Sequence, residues 1–428
     1  MTPYILALIL ILLSIMGTPL FAVILAVAML GFYCLDVHLS VVAIEFYRIA
    51  DTPLLLALPL FTFAGYVLSE SRTSHRLVRL TRVFLGWMPS GLAIVALVTC
   101  GLFTAFTGAS GVTIVALGAL LYPALKQAGY REQFSLGLVT TSGSLGLLFP
   151  PSLPLILYGI IAQQMSTGQT VSIGDLFLAG LLPGLLMLVL LSIWSLWVNR
   201  RDSLPMTPFS VKEAREALRE AAWEIPLPIF VLGGIYSGFF TISEAAAVTA
   251  MYVIVVEVFI YKEIKLSQLP GIMQESMLII GGILLIIGVS LASTNVLIDA
   301  EVPMRLFKLI QAHITGKIVF LMLLNILLLL LGAILDIFSA LVIMVPLILP
   351  VAMEYGIDPI HLGIIFLANM QIGYLTPPVG MNLFIASYRF DKPITEIYRS
   401  TIPFMLVLFA AVLIITYWPW LSLVFLRR

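Results

Sequence analysis

Long apolar runs separated by short polar connections make up most of the chain. They cover Tyr4–Phe32, Leu54–Leu68, Gly91–Phe106, Thr113–Leu125, Phe134–Phe149, Leu153–Ile161, Leu176–Val198, Ile225–Phe240, Ala245–Tyr261 and Met273–Ala292. Val319–Leu335, Leu341–Met353, Leu362–Leu375, Val379–Ala386 and Ile402–Phe425 complete the set. A helix needs about 20 apolar residues to cross a bilayer, so several of these runs are too short to cross alone. Short apolar halves interrupted by glycine and proline predict broken helices and re-entrant hairpins. Val211–Ala222 and Val302–His313 differ, mixing charged and apolar positions. The first predicts a helix resting on the membrane surface; the second predicts an interfacial arm or a short loop helix.

Composition strengthens this picture. Of 428 residues, 61% are hydrophobic and only 10% charged, against about a quarter charged in soluble proteins. Mean hydropathy is +1.12. The predicted class is an all-α polytopic membrane protein with room for roughly a dozen crossings. Formal net charge is zero, which argues against nucleic acid as a partner. Cys34 and Cys100 both sit among apolar residues, so neither a disulfide framework nor a zinc site is expected. The apolar start lacks a basic leader and is broken near Gly17-Thr18-Pro19, so it reads as a retained span rather than a removed signal peptide. Basic residues cluster at Arg72–Arg82, at Arg200–Arg219 and at Arg427-Arg428, which places those segments on the cytoplasmic side.

An internal repeat organises the chain. Gly146-Leu-Leu-Phe-Pro-Pro151 recurs as Gly373-Tyr-Leu-Thr-Pro-Pro378, an offset of 373 − 146 = 227. The same offset pairs Gly129 with Gly356 and Pro123 with Pro350. Two copies of a helix, a glycine turn and a second helix ending in Pro-Pro are a repeat architecture. Paired interrupted segments in corresponding positions point to a transporter's binding site. Both copies are preceded by basic residues, Arg72–Arg82 and Arg305–Lys317, which by itself favours parallel rather than inverted copies.

The breaks have a chemistry of their own. At Phe149-Pro150-Pro151 and Thr376-Pro377-Pro378 two successive residues lack a backbone N–H, so each preceding helix must end. The carbonyls of Gly146–Phe149 and Gly373–Thr376 are then expected to be left without helical partners, a state that hard cations such as sodium relieve. Thr107-Gly108-Ala109-Ser110 offers two hydroxyls three residues apart, on one helix face. Gly332 and Asp336 occupy a similar place in the second copy. Asp336 lies inside an apolar run and reads either as an intramembrane functional carboxylate or as a helix N-cap, the two being compatible. Ser142, Ser144, Asn369 and Asn382 suit hydrogen bonding to a substrate, or equally helix–helix hydrogen bonds. Helices restarting near Ser152 and Val379 would aim positive dipole ends at the same region and favour a carboxylate or sulfonate.

The remaining motifs narrow the function. Thr241 with Glu244 has capping-box spacing and predicts a helix start. His38, His75, His313 and His361 have no metal partner at helical spacing. Serine-hydrolase, zinc-protease and Walker patterns are absent, so hydrolysis and ATP use find no support.

With these residues assembled, the chain resembles the large membrane subunit of tripartite ATP-independent periplasmic (TRAP) transporters, the DctM type, over essentially its whole length. The segments that carry the resemblance are Pro53–Phe61, Gly143–Tyr158, Gly233–Ala247 and above all Gly356-Ile-Asp-Pro-Ile-His361, with Asn369 and Ile372–Gly380. The resemblance implies an elevator carrier with inverted repeats, each holding a re-entrant hairpin, and with scaffold and transport domains. It also implies a sodium gradient as the driving force, a separate four-helix membrane subunit of the DctQ type and a periplasmic binding protein of the DctP type. Carried over by motif, one sodium site would use Thr107, Ser110, Gly146, Phe149 and Pro150. The other would use Gly332, Gly373, Thr376 and Val379, with Asp336 nearby. Ala109 stands where relatives often carry a serine, which puts that site's ligands in question.

The expected plan is scaffold helices at 1–90, a first hairpin region at 91–165, scaffold and arm helices at 166–318, a second hairpin region at 319–390 and a closing helix at 391–428. The expected function is uptake of a small organic acid anion at the bacterial inner membrane, with no cofactor beyond the coupling ions. A stand-alone elevator carrier of the divalent-anion or citrate type is the alternative. An intramembrane enzyme is the weakest reading, because Asp336 finds no second acid in another helix core.

Overall fold

A computed structural model describes the chain except residues 1–17, 49–51, 166–170, 201–205, 207, 315 and 427–428. Residues 4–17 of the first predicted run, with Arg201, Arg427 and Arg428, therefore lie outside the described residues. Twenty α-helices make up the described part. The first half holds α1 (Leu20–Cys34), α2 (Ser40–Arg48), α3 (Ala57–Glu70), α4 (Thr73–Leu85), α5 (Gly91–Thr107), α6 (Ser110–Gln127), α7 (Glu132–Ser142), α8 (Leu153–Gln164) and α9 (Ile173–Val198). Next come α10 (Val211–Glu220), α11 (Pro226–Tyr236), α12 (Ile242–Ile254), α13 (Leu269–Asp299) and α14 (Val302–Gln311). The chain continues through α15 (Lys317–Ile334), α16 (Ile337–Glu354), α17 (Pro359–Gly373), α18 (Met381–Phe390), α19 (Ile394–Tyr417) and α20 (Trp420–Leu423). Among the described residues, eight helical stretches are long and apolar enough to cross a membrane.

The repeat read from the glycines and prolines extends to whole helices. Adding 227 to the bounds of α6 gives 337 and 354, the bounds of α16. The same shift carries α5 to 318–334 against Lys317–Ile334 for α15, and α8 to 380–391 against Met381–Phe390 for α18. The amphipathic helices α4 and α14 also correspond. Both Pro-Pro bonds, Pro150-Pro151 and Pro377-Pro378, are cis.

Local chemistry explains where the helices start and stop. The Thr241–Glu244 capping box forms and opens α12 three residues earlier than the apolar run suggests. Ser152 caps α8 and Asp358 caps α17. Gly108 adopts φ +66°, a left-handed conformation that a side chain strains, and so turns α5 into α6. Between α7 and α8 the chain makes a 3-10 turn at Leu145–Leu148 before Phe149 extends into the prolines.

The basic patches also make fixed contacts within the protein. Arg76 of α4 is buried and ion-paired with Glu224, with Glu257 at 3.2 Å and with Glu263. Its guanidinium stacks 4.0 Å from the Tyr261 ring centre. Burial works against its charge, but the three carboxylates outweigh it and hold the group above its ordinary pKa. Arg79 pairs with Glu216 and Glu220 of α10, while Ala214 and Ala217 of α10 pack with Val83 and Leu80 of α4. Helix α10 is thus fastened to α4, because its charges find fixed partners there.

Candidate functional site

The two breaks are built from backbone brought into close contact. In the first repeat, a Cβ on Gly146 would overlap the Gly101 carbonyl, the Ala105 nitrogen and Thr104. Gly146 therefore lets the 3-10 turn lie directly on α5, one turn before Thr107. In the second repeat, Gly373 faces Gly332, and a Cβ on Gly332 would come 2.9 Å from the Gly373 Cα. The two contacts are equivalent, since 105 + 227 = 332 and 146 + 227 = 373. A pair of close backbone approaches thus stands at corresponding positions of both copies.

Around the first contact, Thr107 is fully buried and its hydroxyl has no hydrogen-bond partner. Ser110 is buried and donates to the Asn382 side-chain oxygen at 2.8 Å. This bond joins the two repeats across 272 residues, and it leaves the Asn382 amide nitrogen buried and unpaired. Thr104 braces the same corner, sharing a hydrogen bond with Thr113 at 2.7 Å and donating to the Gly143 carbonyl at 2.9 Å. Thr107, Ser110 and Gly146 therefore belong to one corner of the structure, with Asn382 joined to it.

Around the second contact, Gly380 donates its N–H to the Ala333 carbonyl at 3.1 Å, which ties the segment after Pro378 to the α15–α16 break. Gly332, Gly373 and the Val379–Gly380 turn are brought together. The Thr376 hydroxyl donates to the Ile372 carbonyl at 2.9 Å, so it is engaged locally here. Asp336 accepts from the N–H groups of Phe338 and Ser339, both at 3.0 Å, and from the Ser339 hydroxyl. The two backbone bonds cap the start of α16. Tyr374 accepts from the Ile337 N–H at 2.8 Å through its buried hydroxyl.

One expectation needs correction in part. Some of the break carbonyls are engaged: Gly146 O accepts from Phe149 N at 3.0 Å and Leu147 O from the Ser152 hydroxyl at 2.5 Å. Gly373 O accepts from Thr376 N at 2.9 Å. Tight 3-10-type turning thus engages the Gly146 and Gly373 carbonyls, and a cation ligated by either would use its second lone pair. Ser142 and Ser144 donate back to the Val139 and Thr141 carbonyls, at 3.2 Å and 3.3 Å. Asn369 donates to Asn325 at 2.7 Å and to Ile365 O at 2.8 Å, so it serves as a helix–helix contact. The Phe149 ring packs on Gly184 of α9. Sequence reasoning missed Thr104, Tyr374 and the Ser110–Asn382 bond, none of which carries a local motif. It also missed Gln371, whose signal was present as a polar residue inside an apolar run.

The Ser110–Asn382 bond gives a direct test of the assembly. Ser110→Ala and Asn382→Ala are expected to couple by about 0.5–1.5 kcal/mol in a double-mutant cycle on thermal unfolding in detergent. Additive effects would mean that the two hairpins do not meet there.

The chain matches the family described as tripartite ATP-independent periplasmic transporter, DctM component, over residues 5–421. It is 35% identical over 382 residues to the C4-dicarboxylate TRAP transporter large permease protein DctM of Pseudomonas aeruginosa, covering 89% of this chain and 88% of that protein. It is 33% identical to the isethionate TRAP transporter permease protein DctMQ of Oleidesulfovibrio alaskensis, covering 90% of this chain but 60% of that protein. In structure it is similar to the YdaH transporter of Alcanivorax borkumensis, with a TM-score of 0.64 over 88% of this chain and 87% of the other at 15% identity, a likeness of fold alone. A family match that spans nearly the whole sequence, over a fold of repeated broken helices, leads to one conclusion: the chain belongs to the DctM component family of TRAP transporters.

Proposed function

We propose that this chain is the transport subunit of a sodium-coupled carrier that imports a small organic acid anion, a carboxylate or sulfonate. As a family member it is a multi-pass transporter subunit of the inner membrane and not an enzyme. In this reading a soluble binding protein of the DctP type delivers the substrate. A small membrane subunit of the DctQ type steadies a scaffold, against which the hairpin domain slides. The observation that carries it is the pair of equivalent backbone contacts, Gly146 on α5 and Gly373 on Gly332, joined across the repeats by Ser110 and Asn382. The relatives named for a C4-dicarboxylate and for isethionate support an acidic substrate, and the DctMQ name supports a small-subunit partner.

The residues fit a weakly held hard cation. The Thr107 hydroxyl is an oxygen buried without a partner, and the Gly146 carbonyl, which accepts one hydrogen bond from Phe149 N, has a second lone pair to offer. A sodium ion released and rebound in each cycle is better served by such neutral oxygens than by a charged cage, which would hold it too tightly to let go. In the second repeat Gly332, Gly373, Thr376 and Val379 would serve, with Thr376 turning from its local bond, and Asp336 fixing the start of α16.

Reconstitution with both partner proteins tests the reading. Uptake of labelled succinate or isethionate is expected to require an inward sodium gradient and the binding protein, with potassium or proton gradients ineffective. Proton-driven uptake would remove the sodium assignment, and uptake by this chain alone would move it to the stand-alone carriers. Thr107→Val, nearly isosteric, is expected to raise the sodium concentration for half-maximal uptake about tenfold without loss of thermal stability, since it removes only an unpaired hydroxyl. An unchanged sodium dependence would take Thr107 out of the site.

A further inference from the structure

Gln371 is the least satisfied polar side chain among the described residues. It lies in α17 and is 0% exposed, and both its amide oxygen and its amide nitrogen lack a hydrogen-bond partner. Other buried amides nearby are half engaged, Asn369 with Asn325 and Asn382 with Ser110. An amide sealed in apolar surroundings with neither atom paired is disfavoured by several kcal/mol, so an occupant that pairs both atoms is expected.

Its position ties it to the breaks. Gln371 stands two residues before Gly373 and two after Asn369, both of which meet α15, at Gly332 and Asn325. Two residues turn a helix by about 200°, so Gln371 is on the side of α17 away from α15 and from the Gly373–Gly332 contact. Helix α17 packs against α8 and the 3-10 turn of the first repeat as well. The repeat offset makes it the counterpart of Ser144, since 371 − 227 = 144, the residue that opens that turn.

We infer that Gln371 is a substrate-contacting side chain of the hairpin site, and that the substrate is an organic acid bearing a hydroxyl or similar donor beside its acidic group. The inference rests on the organic-acid reading above. The logic is one of matching: the amide N–H needs an acceptor, which any carboxylate or sulfonate supplies. The amide oxygen needs a donor, which a plain dicarboxylate anion does not have. A site that hydrogen-bonds a substrate hydroxyl rejects the analogue lacking it strongly, because its own polar group is then left unpaired.

The test uses the complete three-component transporter in proteoliposomes and matched pairs of labelled substrates: malate against succinate, and isethionate, which is 2-hydroxyethanesulfonate, against ethanesulfonate. Wild type is expected to favour the hydroxylated member by about tenfold or more in kcat/KM. Gln371→Leu is expected to reduce that preference to about twofold, with the unfolding temperature unchanged or raised, because it removes an unpaired buried amide. Gln371→Met, close to glutamine in length, serves the same purpose if the leucine variant does not fold. Keeping the binding protein constant assigns any change in preference to this subunit.

A wild type with no preference overturns the inference, as does a leucine or methionine variant that retains it. Equal loss of both substrates with lowered stability would also overturn it, marking Gln371 as structural. Sodium-driven uptake confined to hydroxyl-free acids would defeat this inference and leave the transporter reading intact. Absence of cation-driven uptake of any organic acid would defeat the reading itself.

Discussion

Replacing Gly373 by valine is expected to abolish uptake, to below about one per cent of wild type. A Cβ at this position would lie 2.5 Å from the Gly332 Cα and 2.7 Å from the Gly332 carbonyl carbon. Both atoms are backbone, so no side-chain rotation makes room, and α15 must move away from α17. Overpacking of this kind costs about 1–3 kcal/mol. The larger effect is on function, because ligand oxygens supplied by main chain are displaced with the helix, and misplacement by an ångström is enough to disable a precise site. Gly281→Ala, where no atom lies within 4 Å of the added carbon, is the control and is expected to keep both uptake and stability. Uptake by Gly373→Val above a tenth of wild type would show that the break contact is not part of the transport site.

The second large effect is on stability and is expected at Arg76. Its guanidinium answers Glu224, Glu257 and Glu263, and the Glu257 side chain is 0% exposed. Arg76→Met would leave two or three buried carboxylates facing one another with no cation. Removing one partner of a buried ion pair costs about 3–5 kcal/mol, mostly through the charge left behind. A fall in unfolding temperature well beyond that of Arg79→Met is expected, since Arg79 and its partners Glu216 and Glu220 are largely exposed and such pairs contribute about 0–1 kcal/mol. Equal effects at the two positions would mean that the Arg76 cluster is solvated.

Much of the architecture was legible in the sequence because it is written locally. Apolar runs marked the helices, and paired Gly and Pro-Pro marked the breaks. Thr241 with Glu244 marked a helix start that forms as its spacing requires. The repeat offset was legible too, and it turned out to relate whole helices. Local chemistry also misled where the backbone had a second option. The loss of proline N–H groups suggested bare carbonyls, but 3-10-type turning engages the first of them in each break, Gly146 O and Gly373 O. Asp336 was ambiguous, and its described bonds are those of an N-cap.

What the sequence by itself determined is the membrane class, the helix periods and the two interrupted segments, since each depends on residues within a turn or two of one another. Only the tertiary structure decided which polar groups meet. Ser110 reaches Asn382 across 272 residues, Asn369 reaches Asn325 across 44, and Arg76 gathers carboxylates between 148 and 187 residues away. Within a bilayer a polar side chain must find some partner, and many are chemically equivalent; helix packing alone selects among them. The same packing left Gln371 with none, a fact that no spacing along the chain records.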